Sequence, residues 1–377
     1  MRTHVVSQVD PDALASAVSG LAAEDDVRTI LLLGCSADVW EPRAIAPVLA
    51  AASVPLIGGL FPGIVVDGAV HDHGTLLVGL PVSAQVVTAP LGGPAEAQRA
   101  WLERQLPQIE TDQATALVFA DAAEGGIGPL VHALHDLLGP TWSYLGGGTG
   151  HWDLAPGPTV VSGGQLRSGV AAVVLLEAPS TVAVAHGWSP LGRHLPVTRS
   201  NGRTIELLDG QPAAKVYREV VRDHAGEVVA GASIEQLGRW YPLGISRVGD
   251  EPVVRDLVAE VGDGVRCIGE VPQGCYVRVL HGDHAALLAG AKQVTVGLSD
   301  ASADGRLPGG RDTQPLLFDC VSRVLHLGDR YTEELELVTA AGPVAGALTI
   351  GEVAGTPYRA PDFHNKTIVL GRVGVHG

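Results

Sequence analysis

Two stretches of the chain repeat one ordered set of features, and this repeat limits the fold more than any other property of the sequence. The first is TILLLGCSADVWEPRAIAPVLAAASVPLIGGLFPG, followed by HDHGTLLVGL. The second is ALVFADAAEGGIGPLVHALHDLLGPTWSYLGGGTG, followed by LRSGVAAVVLL. Each reads as a buried strand, a polar turn, an amphipathic helix, a second strand closing in a glycine cluster, and a later β-branched strand. Continuous apolar runs such as Ile30–Leu33 and Leu117–Phe119 suit strands covered on both faces. Ala44, Val48 and Leu49 fall at helical spacing, as do Leu130, Leu134, Leu137 and Leu138. The pattern predicts an α/β fold of two parts, with mixed sheets and covering helices, whose N-terminal half is built from two similar strand-helix-strand units.

At 377 residues the chain is longer than one hydrophobic core usually serves. The pattern changes around SPLGRHLPVTRSNGRTIELLDGQPAAKVYREVV, where a Gly-Arg turn and a short strand lead to a helix beginning near Pro212. Asp209 and Gly210 supply the cap and turn before it. This junction divides the chain into residues 1–196 and 197–377. Ser299–Asp312 reads as an exposed loop. Asp312, Thr313 and Pro315 then look like a helix start, with Cys320 and Arg323 on one face of the helix and Phe318, Val321 and Leu325 on the neighbouring one.

Charge and cysteine usage narrow the functional classes. With 41 acidic against 25 basic side chains the formal charge is −16, which repels phosphate backbones and anionic lipid. The expectation is therefore no nucleic-acid and no membrane partner. Cys35, Cys267, Cys275 and Cys320 form no C-x-x-C pair and read as free thiols of a reducing compartment. The N-terminal segment has no apolar signal core, and no apolar run reaches the roughly 18 residues of a spanning helix. A soluble, cytoplasmic protein is expected.

The segment FDCVSRVLHLG, residues 318–328, sets an acid, a thiol and a guanidinium close together. An arginine beside Cys320 favours the thiolate, one route to a reactive cysteine, and His364 is the candidate base. The alternative is a small buried side chain that packs or lines a pocket. A cysteine phosphatase loop would place arginine six positions after the cysteine, where this chain has His326. Glu352 follows the strand-like ALTI, and together with Arg323, His364, Asn365 and Thr367 it can form a polar cluster that reads a small zwitterion, Arg for the carboxylate and Glu for the ammonium. The competing arrangement is a structural Glu352–Arg323 ion pair with Asn365 capping a turn.

Gly58 and Gly59, and Gly146, Gly147 and Gly148, close strands where backbone N–H groups can approach a ligand. They fit neither G-x-G-x-x-G nor a Walker loop. Three histidine groupings, His71 with Asp72 and His73, His132 with His135 and Asp136, and His281 with Asp283 and His284, read as solvated surface clusters. No metal is expected. G-x-S-x-G and H-E-x-x-H are both absent from the sequence.

Taken in order, several blocks resemble the FIST family. They are VPLIGGLFPGIV with DHGTLLVGL, YLGGGTGHWDL with SGVAAVVL, VTRSNGRTIELLDGQPAAKVY, VGDGVRCIGEVPQGCYVRVL, FDCVSRVLHLG with EEL, GALTIGEV, and FHNKT. The resemblance covers nearly the whole chain and implies a bacterial sensory module that binds a small molecule, an amino acid or related carboxylate. Such a module signals to a histidine kinase, cyclase or chemoreceptor, here to a partner in trans, because FIST-like sequence fills the chain. The matched positions are Cys320, Arg323, Gly351, Glu352, His364, Asn365 and Thr367, to which Gly58, Gly59, Gly147 and Gly148 are added as backbone contacts. The first glycine block reads GGLFP where many members have a Gly-Cys-Ser/Thr block. No resident cofactor and no catalytic residue are expected. A second reading is a haem-based nitric-oxide sensor, with an axial ligand from His364, His186, His151 or Cys320. A third is a thiol enzyme of acyl transfer using Cys320 and His364.

Overall fold

The computed structural model describes residues 1–109, 111, 113–229, 231–303, 314–340 and 342–374. The first unit is β1 (Arg2–Val6), α1 (Pro11–Ala22), β2 (Thr29–Cys35), α2 (Pro42–Ala50), β3 (Leu56–Phe61), the hairpin β4 (Gly63–Val66) and β5 (Ala69–His71), and the return strand β6 (Thr75–Leu80). The second repeats this order: β7 (Ala84–Pro90), α3 (Ala95–Gln105), β8 (Ala114–Asp121), α4 (Ile127–Leu138), β9 (Trp142–Thr149), the hairpin β10 (Val160–Ser162) and β11 (Gln165–Arg167), and β12 (Val170–Leu176).

A third unit begins at β13 (Ser180–Ala185) and is then interrupted. The insert comprises β14 (Ser189–Asn201), β15 (Thr204–Leu208), β16 (Gln211–Pro212), α5 (Ala213–Ala225), α6 (Ile234–Gly238), β17 (Leu243–Ile245), β18 (Val253–Arg255), β19 (Leu257–Val261), β20 (Gly264–Cys267) and β21 (Tyr276–His281). The third unit then resumes with α7 (His284–Ala303), β22 (Leu316–Cys320), α8 (Val321–Leu327), α9 (Tyr331–Thr339), β23 (Ala345–Thr349), the hairpin β24 (Glu352–Gly355) and β25 (Asp362–His364), and β26 (Ile368–Val373).

The sheets show that the three units are equivalent. Their strand orders are β1-β6-β2-β3-β10-β11, β7-β12-β8-β9-β24-β25 and β13-β26-β22-β23-β4-β5. In each, one parallel pair (β2/β3, β8/β9 or β22/β23) lies amid antiparallel neighbours. Each hairpin leaves its own unit: the first unit's completes the third sheet, the second's the first, and the third's the second. The exchange locks the units into a ring and covers the free edge beside each parallel pair.

One glycine in each unit makes the parallel pair possible. Leu32 faces Gly58, Val118 faces Gly146, and Leu317 faces Gly346 in register. A Cβ at those glycines would lie 2.0, 2.1 and 1.8 Å from the carbonyl oxygen of the facing residue. Any side chain there forces the strands apart. The inner faces of the three sheets share one core, where Phe61, Phe119 and Phe318, one from each sheet, meet at centroid distances of 6.2 and 5.9 Å. Helices close the outer faces with separate apolar clusters.

The insert has its own sheet, β18-β17-β21-β14-β15-β20-β19 with β16 beside β15, and its own core under α5. The boundary expected between residues 196 and 197 falls inside β14. The helix expected near Pro212 starts at Ala213 with Pro212 as its N-cap residue. The helix expected to carry Cys320 needs correction: Phe318 and Cys320 belong to a fully buried strand, and the helix begins only at Val321. Non-local pairing of that apolar run between β23 and β26 overrides its helical spacing. Of the expected helix start, Asp312 and Thr313 lie outside the described residues. Ser299, expected in a loop, belongs to α7.

Candidate functional site

A cleft of about 300 Å³ opens where the ring departs from its own repeat. The link from the second strand of a unit to its hairpin is Pro62 alone in the first unit and residues 350–351 in the third, but residues 150–159 in the second. That longer link supplies Trp152, Asp153 and Leu154 to one wall. The insert supplies a second wall through Glu235, Arg239, Asp256, Leu257, Val258 and Ile268, and the third unit supplies the rest, including Cys320, Ser322, Gly351, Asn365 and Lys366. Both segments that break the repeat thus converge on one hollow.

Its buried part is polar. Lys366, 2% exposed, lies 3.2 Å through Nζ from Asp256 Oδ1 and sits over the Trp188 ring at 5.7 Å. Ser322 donates its hydroxyl to Asp256 Oδ2 at 2.5 Å. Asn365 Oδ1 accepts from the Asp256 backbone N–H at 3.2 Å, and its amide donates to His364 O at 2.9 Å. Asp256 of the insert is therefore bound by three residues of the third unit. On the other side Glu270, also of the insert, accepts from Gly126 N at 2.5 Å and Gly128 N at 3.3 Å at the start of α4, where a carboxylate meets unpaired N–H groups. The insert is pinned on both sides of the hollow.

Backbone strain gathers here as well. Leu154 and Lys366 have φ of +58° and +54°, conformations that cost a branched or long side chain of order 1 kcal/mol or more and persist where the surroundings fix them. Gly351, with φ +83°, leaves room that a Cβ would lose against Phe363 at 2.5 Å and Asn365 at 2.6 Å.

Of the matched positions singled out from the sequence, Cys320, Gly351 and Asn365 line the cleft. Burial, followed by the Glu352 and Asp256 carboxylates, pushes the Cys320 thiol well up, so it is held protonated. Arg323 is fully buried and its five N–H donors are all engaged: Nε and Nη2 on Glu334, Nη1 on His186 O at 2.7 Å and Lys366 O at 3.4 Å, and Nη2 on Leu287 O at 2.9 Å. No donor is left for a ligand carboxylate. The competing arrangement, a Glu352–Arg323 ion pair, is not made either: Arg323 pairs with Glu334 and Glu352 with Thr349 and Thr367.

Glu352 accepts from Thr349 Oγ1 at 2.7 Å, Thr367 N at 3.2 Å and Thr367 Oγ1 at 2.5 Å. The N–H just before the return strand also meets a carboxylate in the other units, where Gly74 N donates to Asp38 and Gly169 N to Asp121, both at 2.7 Å. There, however, the acid stands at or after the first strand of the parallel pair rather than on the hairpin. Thr367 is the buried partner of Glu352. Gly59, Gly147 and Gly148 serve interlocking strands: added Cβ atoms would meet Thr149 at 2.4 Å, Thr349 at 2.7 Å and Ile350 O at 2.2 Å, and Gly58 holds the parallel pair described above. His364 does not line the cleft; burial, partly opposed by Asp362 and helped by Arg255, pushes it down to about 4. His186, another axial candidate, is held neutral by burial, its Nδ1 accepting from Trp188 N at 2.9 Å. Neither His186 nor His151 lines the cleft. Among the described residues no three His, Cys, Asp or Glu side chains converge as metal ligands.

Sequence reasoning missed Lys366, Asp256, Ser322 and Arg239. Lys366 alone carried a signal, because the chain has only three lysines and this one sits between a buried strand and its turn.

The protein is a ring of three α/β units with an inserted module and a cleft of mixed polarity where the two meet. In family comparison the FIST N domain matches residues 29–211 and the FIST C domain residues 213–355. The chain belongs to the FIST domain family, whose members act in signal transduction as small-ligand-binding domains. No curated protein matches it. No helix of the described residues is long and apolar enough to cross a membrane.

Proposed function

We propose that the protein is a sensor whose cleft takes an amino acid or a related carboxylate, and that occupancy is passed to a signalling partner in trans, of the kinase, cyclase or chemoreceptor kind. One observation carries this reading: the buried Lys366–Asp256 pair faces a hollow of amino-acid size, with a cation for a carboxylate and an anion for an ammonium held a few ångströms apart. Arg239 at the rim, without an ion-pair partner among the described residues, adds a second cation.

The same pair suggests how binding is felt. Asp256 belongs to the insert and Lys366 to the ring, so a ligand that takes up Lys366 competes with a contact that holds the two together. Binding shifts the insert only to the extent that the ligand prefers one arrangement over the other. The test is a thermal-shift screen of amino acids, their keto acids and small dicarboxylates at millimolar concentration. At least one is expected to raise Tm for wild type and not for Lys366→Met. No stabilisation by any of them contradicts the reading.

A further inference from the structure

The cleft asks for more than charge. Beside its polar floor stand Ile268 and Ile350, both buried, and the half-buried Val258. At the mouth two large apolar side chains are left in water, Trp152 at 64% exposure and Leu325 at 42%. Trp152 lies in the link that only the second unit lengthens, beside the left-handed Leu154. A ligand that used only Lys366 and Asp256 would leave this apolar lining wet. One with a hydrocarbon or aromatic end would remove it from water and be covered by the indole. The mouth's charged groups, Asp153, Glu235 and Arg239, are exposed and screened, so they add little for a charged side chain.

Resting on the ligand site proposed above, we infer that the preferred ligand is an α-amino acid with a bulky apolar side chain. Its charged end lies at Lys366 and Asp256, its side chain lies against Ile268, Ile350 and Leu325, and Trp152 sets the preference.

The experiment is calorimetric titration of the full chain with L-leucine, L-phenylalanine, glycine and L-aspartate, on wild type, Trp152→Ala and Lys366→Met. Leucine or phenylalanine is expected to bind at least about tenfold more tightly than glycine and aspartate, and Trp152→Ala to shrink that gap to about threefold or less. Lys366→Met is expected to weaken every probe. Trp152 is exposed, so its variant should melt with wild type, and loss of selectivity is then not loss of fold. If glycine or aspartate binds best and Lys366→Met abolishes it, the ligand site stands and this inference is overturned. If Trp152→Ala keeps the gap, Trp152 is not the selector and the inference fails as stated. If no probe binds, this inference falls, and the ligand site falls with it only if the keto acids and dicarboxylates of the thermal-shift screen also leave Tm unchanged.

Discussion

Arg323 and Glu334 form an ion pair inside the third unit, both side chains fully buried, with Nε to Oε1 at 2.9 Å and a second, shorter contact from Nη2 to Oε2. Three backbone carbonyls, from His186, Leu287 and Lys366, take the remaining donors. The arginine thus ties α8 to α7, to the end of β13 and to the turn before β26.

Removing one partner of such a pair strands a buried charge, which costs about 3–5 kcal/mol. Arg323→Met is expected to lower the urea unfolding free energy by that amount. Arg323→Lys should not rescue it, since one ammonium cannot replace a planar fork with five donors. An Arg323→Met protein of wild-type stability that had lost ligand binding would return the arginine to the role of carboxylate clamp.

The three facing glycines carry a matched expectation. Gly58→Ala, Gly146→Ala and Gly346→Ala each press a methyl group onto a strand carbonyl, and each should destabilise by about 3 kcal/mol or more. Gly20, exposed within α1 and with no atom within 4 Å of its would-be Cβ, is the control. Gly20→Ala should stabilise by about 0.5–1 kcal/mol. In denaturant unfolding, small effects at all three facing glycines would contradict the close strand approach, and a small effect at one of them alone would contradict equivalence of the units.

Cys320 should be unreactive. The residue is 2% exposed, and burial above all holds the thiol protonated. With iodoacetamide at neutral pH, mass spectrometry should find Cys275, the only partly exposed cysteine, labelled ahead of Cys320. Preferential labelling of Cys320 would revive the acyl-transfer reading.

Glu352 gives a pH signature. Burial raises its carboxyl from 4.5 to about 8 against the hydrogen bonds from Thr367, Thr349 and Cys320. Across that window the folded state keeps a proton that the unfolded chain releases, so stability falls as pH rises from the unfolded pKa through the folded one. Glu352→Gln cannot titrate. Its urea midpoint should therefore fall less than that of wild type between about pH 5 and pH 8, and identical slopes would show that Glu352 is not the group responsible.

The sequence made two of the three units legible because their strands, helices and glycine clusters follow one another without interruption. The third escaped for two physical reasons. Its first strand is separated from its helix by the whole insert, residues 189–281, so no local period links them. Its central strand, LLFDC, runs into VSRVLHL, and only pairing with β23 and β26 decides that the first half is extended. The site was legible in the FHNKT block and at Cys320. Arg323 and Glu352 look identical on paper whether they meet a ligand or a buried partner, and the deciding partner, Glu334, is named by packing. Asp256 and Arg239 belong to the insert and reach the cleft only through tertiary docking.

The most direct test of the cleft as the sensing site is amide hydrogen exchange on the full chain, with and without an equimolar, millimolar mixture of the common L-amino acids. Slowed exchange is expected in residues 150–158, 234–240 and 364–367, with α5 unchanged as the internal reference. Exchange unaltered in all three segments, or slowed only elsewhere, would contradict the cleft as the binding site.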